Sequence, residues 1–579
     1  MEKYTLGLAT MGTSSAALFK GGKLICAVEE ERLSRIKNDG NFPHKSIEEV
    51  LSIAKINLAD IDTIAVYWKP WILHTRILGL FKKSLQKPSS IYELLKRVND
   101  LFIKKNEEVR DYNSGSWKDL FRVKTILNKV HGPTKAKVVF VEHHLTHQIY
   151  AESVKKWKNY ISLSYDGGGE SDSTVLSVII NGKRKNLLKE KWPNSLGHFY
   201  STFTGFLGFK MLEGEYKMMG LAPYGKPKYK DLILNEVLNI LPNGKYKLNT
   251  KICDYHSALE GKFSKELCNL FGEPRDPSSS PSEEHINLAT SVQAAFEEAQ
   301  LNLISFAHQQ FPDIKKLVLS GGCALNVSAN GKVLESGIIQ EVIIPPAPHD
   351  AGCSVGAALC VINEEIDTEA VKSPYLGKEY SSEEIEEELE SNLSSLPQRL
   401  SDKELITQTA NLLANNKLVA WFQGNSEFGP RALGNRSFLA DPREDKIREE
   451  MNEKIKKREL FRPFAPSTLK DSAKYFFDID QESPYMNLVS TVNSNQIPAV
   501  THIDNTARVH TVSRESNKKY YDLIENFGKL TGVPVLLNTS FNIQEPIVYS
   551  PADALSTFKE SGVDALVIGN YIVKRQDLK

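Results

Sequence analysis

The sequence lacks several features that would define its class at once. Its six cysteines are scattered without a Cys-x-x-Cys pair, which argues against a disulfide framework and favours reduced thiols in a cytosolic compartment. No apolar run approaches about 18 residues, so no membrane-spanning helix is predicted. The start, Met-Glu-Lys-Tyr-Thr, has no signal-peptide pattern. Net charge is also absent, because 72 basic residues balance 72 acidic ones. We therefore expect a cytoplasmic protein with no membrane partner.

At 579 residues the chain is too long for a single hydrophobic core. Apolar stretches that end in glycine turns and lead into helical patterns recur along it, which predicts a layered α/β fold. The small residues of 12–17 are predicted to form a turn, and Asn181-Gly182 a hairpin turn. The predicted strands are 4–9, 23–29, 62–67, 137–142, 159–165, 173–180, 316–320 and 340–344, and the predicted helices include 284–310 and 351–363.

An acidic, low-complexity stretch at 381–390 divides the chain. It predicts a linker or hinge helix at 373–400, between a first domain of residues 1–372 and a second α/β domain of residues 401–579. In the second domain, strands are predicted at 419–423, 534–537 and 565–568.

Two histidines, His143 and His147, stand in the run Val141-Glu-His-His-Leu-Thr-His-Gln148. Their spacing is just over one helical turn, so both imidazoles project from one helix face and suit one metal ion. Asp166 and Asp350 each follow a predicted strand and stand beside glycines. Two His and two Asp would make a mixed N/O site for Fe, Mn or Zn rather than Ca or Mg. The alternative is a pair of helix histidines whose hydrogen bonds are made with neighbouring groups and which bind no metal.

Three glycine-rich turns in the first domain predict phosphate binding. They read Asp166-Gly-Gly-Gly169, Leu319-Ser-Gly-Gly-Cys-Ala-Leu-Asn326 and Asp350-Ala-Gly352. Backbone amides in such turns can approach a phosphate closely, and a helix N-terminus favours anions. Several such turns facing one cleft are typical of actin-like nucleotide sites. Lys217, in the loop 213–225, could reach phosphate oxygens or could be solvated.

The order of motifs is specific. In the first domain they read HHxxH, SYDGGG, SLGxFYSxxTxxLGF (195–209), EGEYKMMGLAPYG, SGGCALN and PAPHDAG. In the second they read FGPRALGNRSFLADPR (428–443), IKKRELFRPFAP (455–466) and LNTSFN (537–542). Over nearly the whole chain this order resembles the NodU/CmcH/TobZ family of O-carbamoyltransferases. The resemblance implies a duplicated actin-like (ASKHA) Kae1-like domain followed by a YrdC-like α/β domain.

The resemblance also implies an ATP-dependent carbamoyltransferase. The YrdC-like domain would form carbamoyl adenylate and pyrophosphate from ATP and carbamoyl phosphate, and the Kae1-like domain would transfer the carbamoyl group to an acceptor hydroxyl. Basic side chains in the second domain suit two polyanions, because guanidinium forks match phosphate oxygens. The alternative is a set of surface arginines paired with acidic neighbours. The expected residues are Lys456, Arg431, Arg458 and Arg462 for catalysis and Arg436, Arg443, Ser467, Asn538 and Ser540 for binding.

Carried over residue by residue, the resemblance makes His143, His147, Asp166 and Asp350 the metal ligands. Iron(II) is the metal that the family implies, other divalent metals stay open, and Mg²⁺ is a further candidate alongside ATP. The metal would act as a Lewis acid and as a template. His144 would be a catalytic neighbour, and the nucleotide contacts would be Gly168, Lys217, Gly321, Gly322 and Asn326.

One position departs from the family pattern. Family members carry a His-Asp pair ahead of the small residues of the first turn, and that His is a candidate base for the acceptor hydroxyl. Here the segment reads Thr10-Met-Gly-Thr-Ser-Ser15, so the His position falls on Met11 or Gly12. Either no base is needed, or His144, His198 or Glu213 supplies it.

The acceptor is not defined by the motifs. The segment 69–137 contains 16 Lys or Arg and 6 Asp or Glu with aromatic residues between them, which could suit a nucleic acid or could be a solvated helix face over an aromatic core. Three functions stay open: carbamoylation of a small natural product or sugar, carbamoylation of a 5-hydroxymethylpyrimidine such as hydroxymethylcytosine in DNA, and a catalytically inactive or tRNA-threonylcarbamoyl-type binding module. A homodimer also stays open.

Overall fold

The computed structural model describes residues 2–73 and 117–579. The chain forms two compact units, one of Met1–Ser34 with Asn38–Lys372 and the other of Arg35–Lys37 with Ser373–Lys579. Most of the basic segment 69–137, and with it the predicted nucleic-acid contact, lies outside the described residues. Across both described ranges, every helix is too short or too polar to span a bilayer.

The first unit is built on two five-stranded sheets and a short hairpin within its described residues. Its strands are β1 (Tyr4–Ala9), β2 (Ser15–Lys20), β3 (Lys23–Glu29), β4 (Thr63–Val66), β5 (Lys137–Phe140), β6 (Asn159–Tyr165), β7 (Asp172–Ile180), β8 (Lys183–Lys191), β9 (Leu238–Ile240), β10 (Tyr246–Leu248), β11 (Lys316–Ser320) and β12 (Glu341–Ile343).

The two large sheets have the same topology. In each, an antiparallel three-stranded meander comes first, and two further strands then add in parallel beside the first strand of the meander. The strand orders are β3-β2-β1-β4-β5 and β8-β7-β6-β11-β12. Leu6 pairs with Leu18 on one side and Ile64 on the other, and Leu163 pairs with Leu319 at the equivalent place. This repetition confirms the predicted duplicated, actin-like α/β architecture.

Helices pack on these sheets. They are α1 (Glu30–Ser34), α2 (His44–Ala54), α3 (Trp117–Leu120), α4 (Val123–Val130), α5 (His143–Ser153), α6 (Leu196–Phe206), α7 (Glu215–Leu221), α8 (Lys230–Glu236), α9 (Tyr255–Leu259), α10 (Lys265–Phe271), α11 (Glu283–Gln310), α12 (Val327–Glu335), α13 (Gly352–Leu359) and α14 (Thr368–Lys372). The long helix α11 starts where Ser282 accepts a hydrogen bond from the His285 amide, a capping arrangement that satisfies its first turn.

The predicted turn at 12–17 is wrong at its second half, because β2 begins at Ser15. The small side chains serve close packing rather than a turn. An ideal Cβ on Gly7 of β1 would lie 1.9 Å from the carbonyl oxygen of Ser354 on α13, and the Ser15 hydroxyl donates to the carbonyl of Ala351. The strands at this point must therefore carry small residues so that α13 can approach the sheet.

The second unit is a mixed eight-stranded sheet with helices, in the order β16-β17-β15-β18-β14-β13-β19-β20. Trp421, Leu536 and Phe527 are fully buried in its core. Its strands are β13 (Val419–Phe422), β14 (Arg436–Ala440), β15 (Ala465–Leu469), β16 (Leu488–Thr491), β17 (Thr506–Val512), β18 (Val535–Ser540), β19 (Ala565–Ile568) and β20 (Tyr571–Lys574). Its helices are α15 (Ser382–Asn392), α16 (Asp402–Ala414), α17 (Lys446–Glu450), α18 (Ala473–Phe476), α19 (Lys518–Thr531) and α20 (Pro551–Glu560).

The segment 373–400, predicted as a linker or hinge helix, falls within the second compact unit. Its acidic stretch is α15, which begins with a capping box between Ser381 and Glu384 and buries Ile385 and Leu389. Two apolar residues four apart give the helix a packing face despite its many glutamates.

Candidate active sites

Four side chains predicted to hold a metal converge in the first unit. His143 and His147 lie one turn apart on α5, Asp166 follows β6, and Asp350 precedes α13. The Nε2 atoms of His143 and His147 lie 3.4 and 3.1 Å from Oδ2 of Asp166. The same atoms lie 3.9 and 3.5 Å from Oδ1 of Asp350. Two nitrogens and two carboxylate oxygens thus face one another across a space that one cation would fill.

The surroundings of this group favour a cation. Burial, together with neighbouring His147, lowers the pKa of His143 to about 3, so its ring is neutral and can ligate. Burial and the charge of Asp166 raise the pKa of Asp350 to about 6. For Asp166 burial alone would raise the pKa, but hydrogen bonds from the two histidines hold it well below the usual value. Two carboxylates at close range repel each other, and a divalent cation between them would remove that repulsion.

Cys353 is a functional candidate that the sequence reading missed. Its thiol sulfur, the Nε2 or Nδ1 atoms of His143 and His147 and a carboxylate oxygen of Asp350 all lie within 4.8 Å of one another. The signal in the sequence was the i, i+3 spacing of Asp350 and Cys353 at the start of a helix, which places both on one face.

His144, predicted to be a catalytic neighbour of the metal ligands, has hydrogen-bond partners outside this group. Its Nδ1 atom lies 2.8 Å from the Ser164 hydroxyl and its Nε2 atom 2.9 Å from the carbonyl oxygen of Asp172. Burial and the charge of His147 lower the pKa of His144 to about 4. With both ring nitrogens in hydrogen bonds, His144 fixes α5 to β6 and β7.

The other suggested bases have different neighbours. His198 stacks on Tyr255, with ring centroids 3.7 Å apart, and lies beside Gly167 of the glycine turn. Glu213 forms an ion pair of 2.6 Å with Lys210. Of the two, His198 is beside the turn that carries Asp166, whereas Glu213 is held by a surface lysine.

The glycine turns at 167–169 and 321–322 pack together at the ends of β6 and β11. Gly321 has a φ of +88°, and a Cβ there would lie 2.2 Å from the carbonyl oxygen of Tyr165. A Cβ on Gly322 would lie 3.0 Å from a carboxylate oxygen of Asp166. Gly168 also has a positive φ, of 152°. The predicted phosphate turns thus flank Asp166, and only glycine allows so close an approach.

Two predicted nucleotide contacts have other partners. Asn326 exchanges two hydrogen bonds with the amide of Gln293 and caps α12 by accepting from the Ala329 amide. Its side chain therefore has a structural role. Lys217, on α7, has its Nζ atom 6.0 Å from the ring centroid of Phe209.

In the second unit, four guanidinium groups come together. The pKa of Arg508 is held well below its usual value by burial and by the charges of Arg431, Arg458 and Arg462. Three of these arginines were predicted from the motifs, and Arg508, on β17, was missed because it lies outside them. Arg462 forms an ion pair with Glu459 at 3.6 Å. Like charges held together in this way are a hallmark of a site for a polyanion.

Lys456 lies beside this cluster but is held by neutral groups. Its buried Nζ atom donates to the carbonyl oxygens of Ser540 and Asn542, each at 2.7 Å, and contacts both side-chain oxygens. Burial, with Arg458 and Arg462 nearby, lowers its pKa well below the usual value. Lys456 and Ser540 therefore fasten two loops of the second unit together.

The remaining predicted binding residues are engaged in the fold. Arg436 is buried over the ring of Phe422 at 3.6 Å and donates to the carbonyls of Gln423 and Gly424. Arg443 forms a bidentate pair with Asp441, at 2.6 to 3.0 Å. The side chains of Ser467, His510 and Asn538 form a buried hydrogen-bonded row. The contacts described for Arg436, Arg443, Ser467 and Asn538 are thus with other residues of the second unit.

Two family models and several relatives match the sequence of this chain. A model described as the carbamoyltransferase N-terminus matches residues 4–359, and one described as the carbamoyltransferase C-terminus matches residues 410–575. An uncharacterised protein of Synechocystis sp. is 36% identical over 97% of this chain and 95% of its own length. The nodulation protein NolNO of Sinorhizobium fredii is 36% identical over 98% of this chain and 79% of its own length. The nodulation protein NolO of Bradyrhizobium diazoefficiens is 37% identical over 75% of this chain and 79% of its own length. The matches extend over both units, so this chain belongs to the carbamoyltransferase family and is a transferase enzyme.

Proposed function

We propose that this chain is an ATP-dependent O-carbamoyltransferase that works in two stages. The second unit forms carbamoyl adenylate, and the first unit transfers the carbamoyl group to an acceptor hydroxyl. The observation that carries the proposal is the convergence of Arg431, Arg458, Arg462 and Arg508. Such a set of fixed cations suits the simultaneous binding of ATP and carbamoyl phosphate, because the positive charges offset the repulsion between the two anions.

The chemistry balances without an oxidant or reductant. Water cleaves carbamoyl phosphate to carbamate and phosphate. A carbamate oxygen then attacks the α-phosphorus of ATP, so that pyrophosphate leaves and carbamoyl adenylate forms. The acceptor hydroxyl oxygen finally attacks the carbamoyl carbon, AMP leaves, and the hydroxyl proton is released to a base. The arginines hold the phosphate oxygens in the first two steps and offset the charge that develops on them.

His143, His147, Asp166 and Asp350 would hold a divalent metal in the first unit, and their N and O donors fit iron(II), manganese or zinc. A bound metal supplies Lewis acidity and a fixed point for substrate oxygens. The glycine turns beside Asp166 contribute backbone amides for the phosphate of the adenylate, and His198, next to Gly167, is the side chain best placed to receive the acceptor proton.

The acceptor we propose is the hydroxyl of a sugar or a small natural product. The relatives named as nodulation proteins motivate glycans as the first compounds to try. The test is pyrophosphate and AMP release from ATP and carbamoyl phosphate, measured with glycans, aminoglycosides and hydroxymethylcytosine-containing DNA. Release that depends on a glycan, with a product heavier by one carbamoyl group, supports the proposal. Release that depends on the DNA alone would mean that the acceptor is DNA and not a sugar or small natural product. No release with any acceptor would overturn the proposal.

A further inference from the structure

The thiol of Cys353 lies where a metal ligand would lie. Its sulfur and the ligand atoms of His143, His147 and Asp350 are all within 4.8 Å of one another. Metal–nitrogen bonds of about 2.1 Å and metal–sulfur bonds of about 2.3 Å place two ligands on opposite sides of one cation about 4.4 Å apart. The separations in this group are therefore close to those of side chains that share an ion, and only small side-chain movements would complete the bonds.

The local fold aims this thiol at the centre. Cys353 lies in the first turn of α13, and its amide donates to the carbonyl of Asp350 at 2.9 Å, so the two side chains share a face. Gly352 and Gly356, four residues apart, let α13 touch α5. A Cβ on Gly356 would lie 1.9 Å from the carbonyl oxygen of Thr146, and one on Gly352 would lie 2.7 Å from the ring of Tyr150. Between these two contact points, the short side chain of Cys353 reaches His147.

Burial makes an uncoordinated thiolate costly here. Cys353 is fully buried. A cation at the centre would stabilise the thiolate directly, as metals do for coordinating thiols.

We propose that Cys353 is a further ligand of the metal centre, joining His143, His147 and Asp350 on one cation. The inference rests on the metal centre of the proposed function and deepens it, because a thiolate ligand narrows the range of metals that the centre would prefer. Soft sulfur ligands favour zinc, iron or cobalt over magnesium, calcium and manganese. Asp166, which follows β6, adds a second carboxylate, so that the full set has nitrogen, oxygen and sulfur donors.

A buried cysteine can also act as a small apolar side chain. In that case alanine at position 353 would serve the helix contact nearly as well, and metal binding would not change. Measurements of the metal itself separate the two roles, whereas turnover alone would not.

The experiment is a titration of the metal-free full-length protein with Co²⁺, followed by absorption. The wild type is expected to show visible d–d bands and a near-ultraviolet sulfur-to-cobalt charge-transfer band. C353A is expected to keep d–d bands of altered shape, to lose the charge-transfer band, and to bind Co²⁺ roughly tenfold or more weakly, as altered metal environments commonly do. C360S is the matched control, because Cys360 caps the far end of the same helix; it should retain both bands.

The outcomes also separate this inference from the proposed function. A wild type with d–d bands but without the charge-transfer band overturns the thiolate ligand and leaves carbamoyl transfer untouched. A protein that binds no Co²⁺ overturns the metal centre and this inference together. Exchange of pyrophosphate into ATP, measured on the same samples, reports on adenylate formation in the second unit. This readout tests the proposed function whichever result the Co²⁺ titration gives. A C353A variant that keeps the charge-transfer band assigns the sulfur to another cysteine and equally overturns the inference.

Discussion

The carboxylate of Asp350 occupies the space beside the α-carbon of Gly12: an ideal Cβ on Gly12 would lie 2.0 Å from Oδ2 of Asp350. Gly12 also has a φ of +70°, in the region that favours glycine. Position 12 is one of the two positions, with Met11, on which the family His falls. At position 12 the absence of a side chain leaves room for the carboxylate of Asp350, a predicted metal ligand.

Replacement of Gly12 by alanine should weaken metal binding. The new methyl group must displace Asp350, and backbone strain adds about 1 kcal/mol. We expect a loss of Co²⁺ affinity of roughly tenfold or more in calorimetric titration. Gly182→Ala is the matched control, because Gly182 has a φ of +76° with nothing within 4 Å of its Cβ position. If Gly12→Ala bound Co²⁺ as tightly as Gly182→Ala, the prediction that the methyl group displaces Asp350 would be wrong.

Replacement of Arg508 by alanine should reduce adenylate formation. Charge-assisted hydrogen bonds contribute about 1.5–3 kcal/mol, so pyrophosphate exchange into ATP should fall roughly 10- to 100-fold. The urea midpoint should stay constant or rise, because the mutation relieves repulsion from Arg431, Arg458 and Arg462. Arg514→Ala is the control, since Arg514 is half-exposed and paired with Asp522 at 2.7 Å. Unchanged exchange in the Arg508 variant would remove it from the polyanion site.

Replacement of Lys456 by methionine should destabilise the protein. It leaves the buried carbonyl oxygens of Ser540 and Asn542 without their donor, at a cost of about 2 kcal/mol in the free energy of unfolding. Lys454→Met changes the same residue type two positions away, where the side chain is 67% exposed, and should have little effect. Urea unfolding measures both, and equal midpoints would contradict the structural role of Lys456.

Stability should fall in acid through His510. Burial lowers the pKa of His510 from 6.5 to about 3, so below pH 6.5 the unfolded chain takes up a proton that the folded chain does not. The free energy of unfolding therefore decreases as the pH falls from 6.5 towards 3. His510→Gln stays neutral throughout, so its stability relative to the wild type should improve by about 3 kcal/mol between about pH 7 and about pH 4. A pH-independent difference in urea unfolding would refute this.

The sequence placed the four predicted metal ligands at junctions with a clear local pattern, and the structure brings their side chains together. The i, i+4 spacing of His143 and His147 and the strand end before Asp166 are local signals, and the fold brings them together. Cys353 was missed because its role depends on the contact between α5 and α13, which is made by residues distant in sequence. Arg508 was missed for the same reason: it reaches the arginine cluster from β17, outside every motif.

The motif arginines differ from one another in their surroundings. Arg436 and Arg443 stand in the same motif as Arg431, and sequence alone assigned all three to ligand binding. The structure places Arg436 over Phe422 and pairs Arg443 with Asp441. Residue type and motif membership cannot tell which guanidinium group faces an open site, because that depends on the rotation of each side chain about its strand or turn.

The repeated sheet of the first unit has a consequence for how the protein is made. His143 and His147 follow the last strand of the first copy, Asp166 follows the first strand of the second copy, and Asp350 and Cys353 follow its last strand. A nascent chain that has left the ribosome only as far as the first copy would present two histidines and no carboxylate of the set. Metal would then be captured late in synthesis, and its uptake would report that both copies are complete.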